Sequence, residues 1–85
     1  MSVDEVKAQL GKGLESARSG RSTLQQAAAA AGEALELATY TCQGSNHERA
    51  TDALDTVGSA LREIKLAIAR LDAGEELVDT YRAGL

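Results

Sequence analysis

The sequence predicts an all-α protein, an antiparallel two-helix hairpin of the coiled-coil kind, on three observations. The apolar share, 44% of 85 residues, is built from sixteen Ala and eleven Leu, with two Tyr as the only aromatics and no Pro. Ala and Leu are the strongest helix formers, whereas a sheet protein draws on β-branched and aromatic residues and turns its chain with Pro. Two apolar stripes run at helical spacing, and between them stands one short polar segment that contains glycine. A chain of this length holds a single domain, 1–85.

The first helix is expected over about 3–42. Ser2 and Glu5 form an S-x-x-E capping box at its start. Steps of three and four then connect Val3, Val6, Leu10, Leu14 and Ala17, and continue through Leu24, Ala28, Ala31, Leu35 and Ala38 to Cys42; Arg21 alone interrupts the stripe. Gly20 lies among helix-neutral residues, and Ser22 with Gln25 offers a third capping box, which would make three helices. One interior glycine costs only about 1 kcal/mol and the stripe keeps its phase across it, so one continuous or gently kinked helix is expected. The run Ala27 to Ala31 lies inside the stripe and reads as a flat contact surface.

The turn is expected at about 43–46. Gly44 is placed to end the first helix in the left-handed conformation, and Ser45 with Glu48 is the second capping box. The second helix follows over about 47–83, with the stripe Ala50, Leu54, Val57, Leu61, Ile64, Ile68 and Leu71. A phase slip at Gly74 to Glu75 then brings in Val78 and Leu85. The packing candidates are thus Leu24, Ala28, Ala31 and Leu35 against Leu54, Val57, Leu61, Ile64, Ile68 and Leu71, with Gly44 and Ser45 at the turn. Gly11, Gly13, Gly32, Gly58 and Gly74 read as places of close helix approach. Arg21 is expected to snorkel or to pair with an acid near Leu66 to Leu71, a stretch followed by Asp72.

A formal charge of −4 and a pI near 4.8 give no positive field for phosphates, so nucleic acid is not an expected partner. The longest uncharged stretch, Ser22 to Gly32, is too short and too polar to cross a bilayer. The acidic start Met1-Ser2-Val3-Asp4-Glu5 lacks a Sec signal pattern, and one cysteine fits a reducing compartment. The expected location is the cytoplasm, or outside the cell by a route other than Sec.

No constellation for catalysis stands out. Cys42 and His47 supply two of the four ligands that structural zinc requires, and no base is positioned to activate the thiol. Cys42 therefore reads as a small apolar residue closing the stripe, and His47 as a surface residue of the first turn. The carboxylates Asp4-Glu5, Asp52 with Asp55, and Glu75-Glu76 with Asp79 read as solvated surface charge. No phosphate-cradling loop or nucleophile elbow is present. No enzyme, metal or cofactor is expected.

With Gly44 at the centre of the hairpin and Leu77-Val78-Asp79-Thr80-Tyr81-Arg82-Ala83-Gly84-Leu85 at its end, the chain resembles the small Trp-X-Gly helical-hairpin proteins of type VII secretion in actinobacteria. It is similar too to the helical amino-terminal modules of actinobacterial polymorphic toxins. The turn reads Cys42-Gln43-Gly44 where the family has Trp-X-Gly, so Gly44 is the matching residue, and Tyr81 is followed four residues later by Leu85 where the family often has an acid. The resemblance implies a non-enzymatic helical module that pairs with itself or with a related hairpin and leaves the cell without a Sec signal.

A hairpin of this size buries one seam only, and Leu37, Leu66 and Leu77 lie off the stripes. Dimerisation into a four-helix bundle is therefore expected. The alternative from another class is a helical bundle binding a small molecule in a cavity left by its glycines and alanines.

Overall fold

The computed structural model describes residues 1–44 and 47–85. Two helices, α1 (Val3–Thr41) and α2 (Glu48–Ala83), pack against each other as a hairpin, and the described residues contain no strand. The start of α1 follows from its cap: the Ser2 hydroxyl accepts the Glu5 N–H at 3.1 Å, and Asp4 and Glu5 stand in the first turn, at the positive end of the helix dipole. The helix runs through Gly20 without interruption. It closes with the Cys42 N–H donating to the Ala38 carbonyl at 2.9 Å and the Gln43 N–H donating to the Tyr40 carbonyl at 3.3 Å. Gly44 then takes a φ of +81°, the left-handed conformation that a Cβ disfavours.

The cap of α2 differs from the expectation. His47, not Ser45, occupies the N-cap, and its Nδ1 accepts the Arg49 N–H at 3.2 Å. An imidazole nitrogen here does the work usually done by a hydroxyl or carboxylate oxygen. Ser45 lies outside the described residues. At the other end Arg82 sits in the last turn, where a cation favours the helix dipole.

The hairpin measures 63 × 16 × 15 Å with a radius of gyration of 19.0 Å, against about 12 Å for a compact domain of this length. Its core is correspondingly thin. Among the described residues Leu14, 2% exposed, is the one buried apolar side chain. The rest of the α1 stripe from Val6 to Cys42 is half-buried, as are Ala50, Leu54, Leu61, Ile64, Ile68, Leu71 and Val78 of α2. The surface amounts to 6342 Å², whereas a monomer of 8.9 kDa is expected to expose about 4,800 Å².

The second stripe has no phase slip. The buried Glu75 and the half-buried Arg82 fall on the seam between Leu71 and Val78 and after Val78, so steps of four and three continue unbroken from Ala50. A charged residue on the seam looks like a slip to any pattern that counts only apolar residues.

Candidate functional site

The seam holds a buried polar centre. Arg21 on α1 grips Glu75 on α2 with two hydrogen bonds, its Nε–H donating to Oε2 at 2.6 Å and its Nη2 donating to Oε1 at 3.1 Å. Arg18, one turn earlier, brings its Nε within 3.4 Å of the same carboxylate and donates from Nη2 to Asp79 Oδ2 at 3.1 Å. Glu75 is only 6% exposed, and the fork of the guanidinium is the side-chain geometry best matched to a desolvated carboxylate.

Arg21 was expected opposite Leu66 to Leu71 with Asp72 as the acid; its partner is Glu75, one turn further along. Side chains lean toward the N-terminus of their own helix, so in an antiparallel pair the tips that meet belong to residues further apart in sequence than the backbones that face each other. Asp72 acts on Arg21 only through its charge. Of the carboxylates read as solvated surface charge, Glu75 is instead buried on the seam and held by Arg21, whereas Asp79 is 53% exposed and pairs with Arg18 at the surface.

The pair sets the electrostatics of the seam. The hydrogen bonds from Arg21 hold the Glu75 carboxyl below its ordinary range against the opposing effect of burial, and the charges of Arg21 and Arg18 reinforce this. The hydrogen bonds to Glu75 likewise raise Arg21 above its ordinary value, with burial opposing. A carboxylate so held is a poor proton acceptor at neutral pH, and its two oxygens are already engaged. What this arrangement does chemically is fix the helices against each other.

The packing candidates divide unevenly. Leu24, Ala28, Ala31 and Leu35 on α1 and Leu54, Leu61, Ile64, Ile68 and Leu71 on α2 are half-buried, while Val57 stays 39% exposed. Of the five glycines read as points of close approach, two touch the other helix. A Cβ on Gly11 would come within 3.2 Å of the Arg82 guanidinium, and one on Gly58 would lie 4.0 Å from Leu35 Cδ2. Gly13, Gly32 and Gly74, like Gly20, have open space on their Cβ side, so close approach within the hairpin does not account for them.

Three of these open positions, Gly13, Gly20 and Gly74, fall into a pattern. Gly13, Gly20, Ala27 and Ala34 recur every seventh residue along one flank of the α1 stripe, and Ala53, Ala60, Ala67 and Gly74 do the same on α2. Two grooves show that both flanks lie on the same side of the hairpin. One, of about 350 Å³, is lined by Leu10, Gly13, Leu14 and Ala17 of α1 and by Arg70, Leu71, Gly74 and Val78 of α2. The other, of about 220 Å³ near the turn, is lined by Ala34, Leu35, Ala38 and Cys42 together with Ala50, Ala53, Leu54 and Val57. The outer row of this face on α1 is Gln9, Ser16, Thr23, Ala30 and Leu37, without a charge; on α2 it is Arg49, Thr56, Glu63, Arg70 and Leu77. Leu37 and Leu77 are 69% and 73% exposed. The Arg18–Asp79 pair lies across the seam on the opposite side. The seven-residue repeat of small side chains was the sequence signal for this face.

Cys42 is half-buried with a free thiol, and the Nδ1 of His47 is taken up by its cap. No group of three or more His, Cys, Asp or Glu that could hold a metal comes together among the described residues, and no helix is long and apolar enough to cross a membrane. Compared with protein-family models, curated proteins and solved structures, the chain matches none.

Proposed function

We propose that this chain is a non-enzymatic helical interaction module that associates through its helix faces, with itself or with a related helical hairpin, into a four-helix bundle. The observation that carries this reading is the unfinished core: among the described residues one apolar side chain is buried, while Leu37, Leu77 and Tyr81 are exposed on or beside one face lined with small side chains. A hairpin with a seam one side chain deep gains stability when a second layer covers it. The net charge of −4 and the lack of charge on the α1 part of that face favour a protein partner over nucleic acid. Thermal melts at a series of protein concentrations test it. The midpoint rises with concentration if folding and association are linked, and a midpoint independent of concentration, with a monomer mass in sedimentation equilibrium, contradicts self-association.

The resemblance to the Trp-X-Gly hairpins extends the proposal to type VII-type export. Two long helices of similar length joined at a left-handed Gly44 support it. Recovery of the native protein from culture medium, dependent on an active secretion system, is the expected result; recovery from lysate alone contradicts it.

A further inference from the structure

We propose that the open end of the hairpin, away from the turn, is a binding site for an oxyanion of the phosphate class, with the Arg82 guanidinium and the Lys7 ammonium as its ligands. This goes beyond the association reading and does not depend on it. Lys7, Leu14, Arg21, Ala28 and Leu35 recur every seventh residue on α1, and Leu54, Leu61, Ile68, Glu75 and Arg82 do so on α2. Both cations therefore belong to seam rows, and both are half-buried. With Asp79 and Ala83 they line a groove of about 330 Å³ between the two helices.

The acids around this groove are engaged elsewhere. Glu75 is held by Arg21, and Asp79 accepts a hydrogen bond from Arg18 at 3.1 Å. Asp4, one turn before Lys7, is exposed, and neither Lys7 nor Arg82 enters an ion pair of the described residues. The chain as a whole carries −4, yet here two half-buried cations share one groove without a counter-ion; they repel each other, and a bound anion turns that repulsion into attraction. Gly11 supplies the geometry. A Cβ there would stand 3.2 Å from Arg82 Nη2 and 3.5 Å from Arg82 Cζ, so the missing side chain is what lets the guanidinium lie against α1. A planar fork seated against a helix is pre-organised to grip two oxygens of one oxyanion, and Lys7, one turn before Gly11, adds a point charge beside it. Charge selects phosphate over carboxylate: a group of about −2 balances both cations, whereas a single carboxylate leaves one uncompensated.

The test is a nuclear magnetic resonance titration of the full chain with inorganic phosphate, sodium chloride holding the ionic strength constant. Saturable shifts of the Gly11 and Ala83 amides are expected, with an apparent dissociation constant on the order of 1 to 10 mM, the strength of a few charge-assisted hydrogen bonds near water. Lys7→Gln and Arg82→Gln each weaken binding by at least about tenfold, while Lys12→Gln, an exposed charge on the same helix, changes it by less than about twofold. Arg82→Lys keeps the charge but replaces the fork by a point, and is expected to weaken binding by about threefold or more; it decides the matter if the neutral variants lose their helical circular dichroism. Methyl phosphate bound more tightly than inorganic phosphate assigns the site to a phosphate ester, and the reverse order assigns it to free phosphate. Acetate bound more tightly than either overturns the phosphate class. Shifts that fail to saturate below about 100 mM, or an affinity unchanged in Lys7→Gln and Arg82→Gln, overturn the site.

Discussion

Leu14→Ala truncates the one apolar side chain that is buried among the described residues. Its side chain is 2% exposed and lies on the seam beside Leu71, Glu75 and Val78. The substitution removes three carbons at about 0.8 kcal/mol each, a transfer loss of about 2.4 kcal/mol. A sealed core adds a cavity penalty that takes some Leu→Ala changes toward about 5 kcal/mol. Here the groove of about 350 Å³ already opens next to Leu14, so water reaches the vacated space and the added term is small. The expected cost is therefore about 2 to 3 kcal/mol. For a domain of this size that lowers the melting midpoint by about 10 to 20 °C, a large share of a total stability on the order of 4 to 13 kcal/mol. Urea melts followed by circular dichroism, at one low-micromolar protein concentration for all variants, give the comparison, with Leu66→Ala as the exposed control. A cost below about 1 kcal/mol for Leu14→Ala, or equal costs for the two variants, refutes the assignment of the seam.

Glu75 has a folded-state pKa below its ordinary 4.5, so its contribution is complete above that pH and is lost as pH falls through the depressed value. Glu75→Gln is accordingly expected to flatten the acid limb of a stability–pH profile between about pH 5 and pH 2, and an unchanged limb counts against the pairing. In a second experiment, Arg21→Leu alone leaves Glu75 buried without its main counter-ion and destabilises more than Arg21→Leu combined with Glu75→Leu, which restores a continuous apolar seam; denaturant melts that rank the double variant below the single contradict this. Ala28 is half-buried on the seam and Ala29 is exposed, so Ala28→Leu is expected to cost about 1 to 3 kcal/mol by overpacking and Ala29→Leu under about 0.5 kcal/mol; the reverse order in the same melts displaces the buried face by one residue step.

Much of the hairpin is legible in its sequence because two local codes agree along most of its length. Apolar periodicity places every residue of the α1 stripe from Val6 to Cys42 on the covered side, Arg21 included, and turn chemistry places Ser2 and Gly44 in the roles they occupy. What escapes is where one code masks another. Glu75 falls on the strict alternation of four and three, yet its charge hides it from a hydropathy pattern, and the partner of Arg21 is hidden with it. The cap of α2 escapes because S-x-x-E at Ser45 outranks an imidazole as a sequence signal, although His47 stands where the helix begins. The glycines escape for another reason. A glycine inside a helix reads in sequence as a place of close approach, and only the open space beyond Gly13, Gly32 and Gly74 shows that the second helix does not come close there.

A charge pair on the seam of so small a protein has an explanation in register. Ala and Leu recur along both stripes in similar steps, so α2 could slide along α1 by a heptad and find nearly equivalent apolar contacts; the connecting segment limits such sliding without abolishing it. Moving Glu75 by a heptad in either direction takes it off Arg21 and buries it against uncharged residues, a far larger penalty than mismatched alanines impose. Arg18 and Asp79 extend the same lock across the seam, on the side away from the face of small side chains. A polar residue on an otherwise apolar seam is a known means of specifying register in coiled coils. In this hairpin the lock has a further consequence: it fixes where α1 and α2 stand relative to each other, and hence whether the small residues of the two helices line up into one face. The ion pair and the face are in that sense one device, the first setting the alignment on which the second depends.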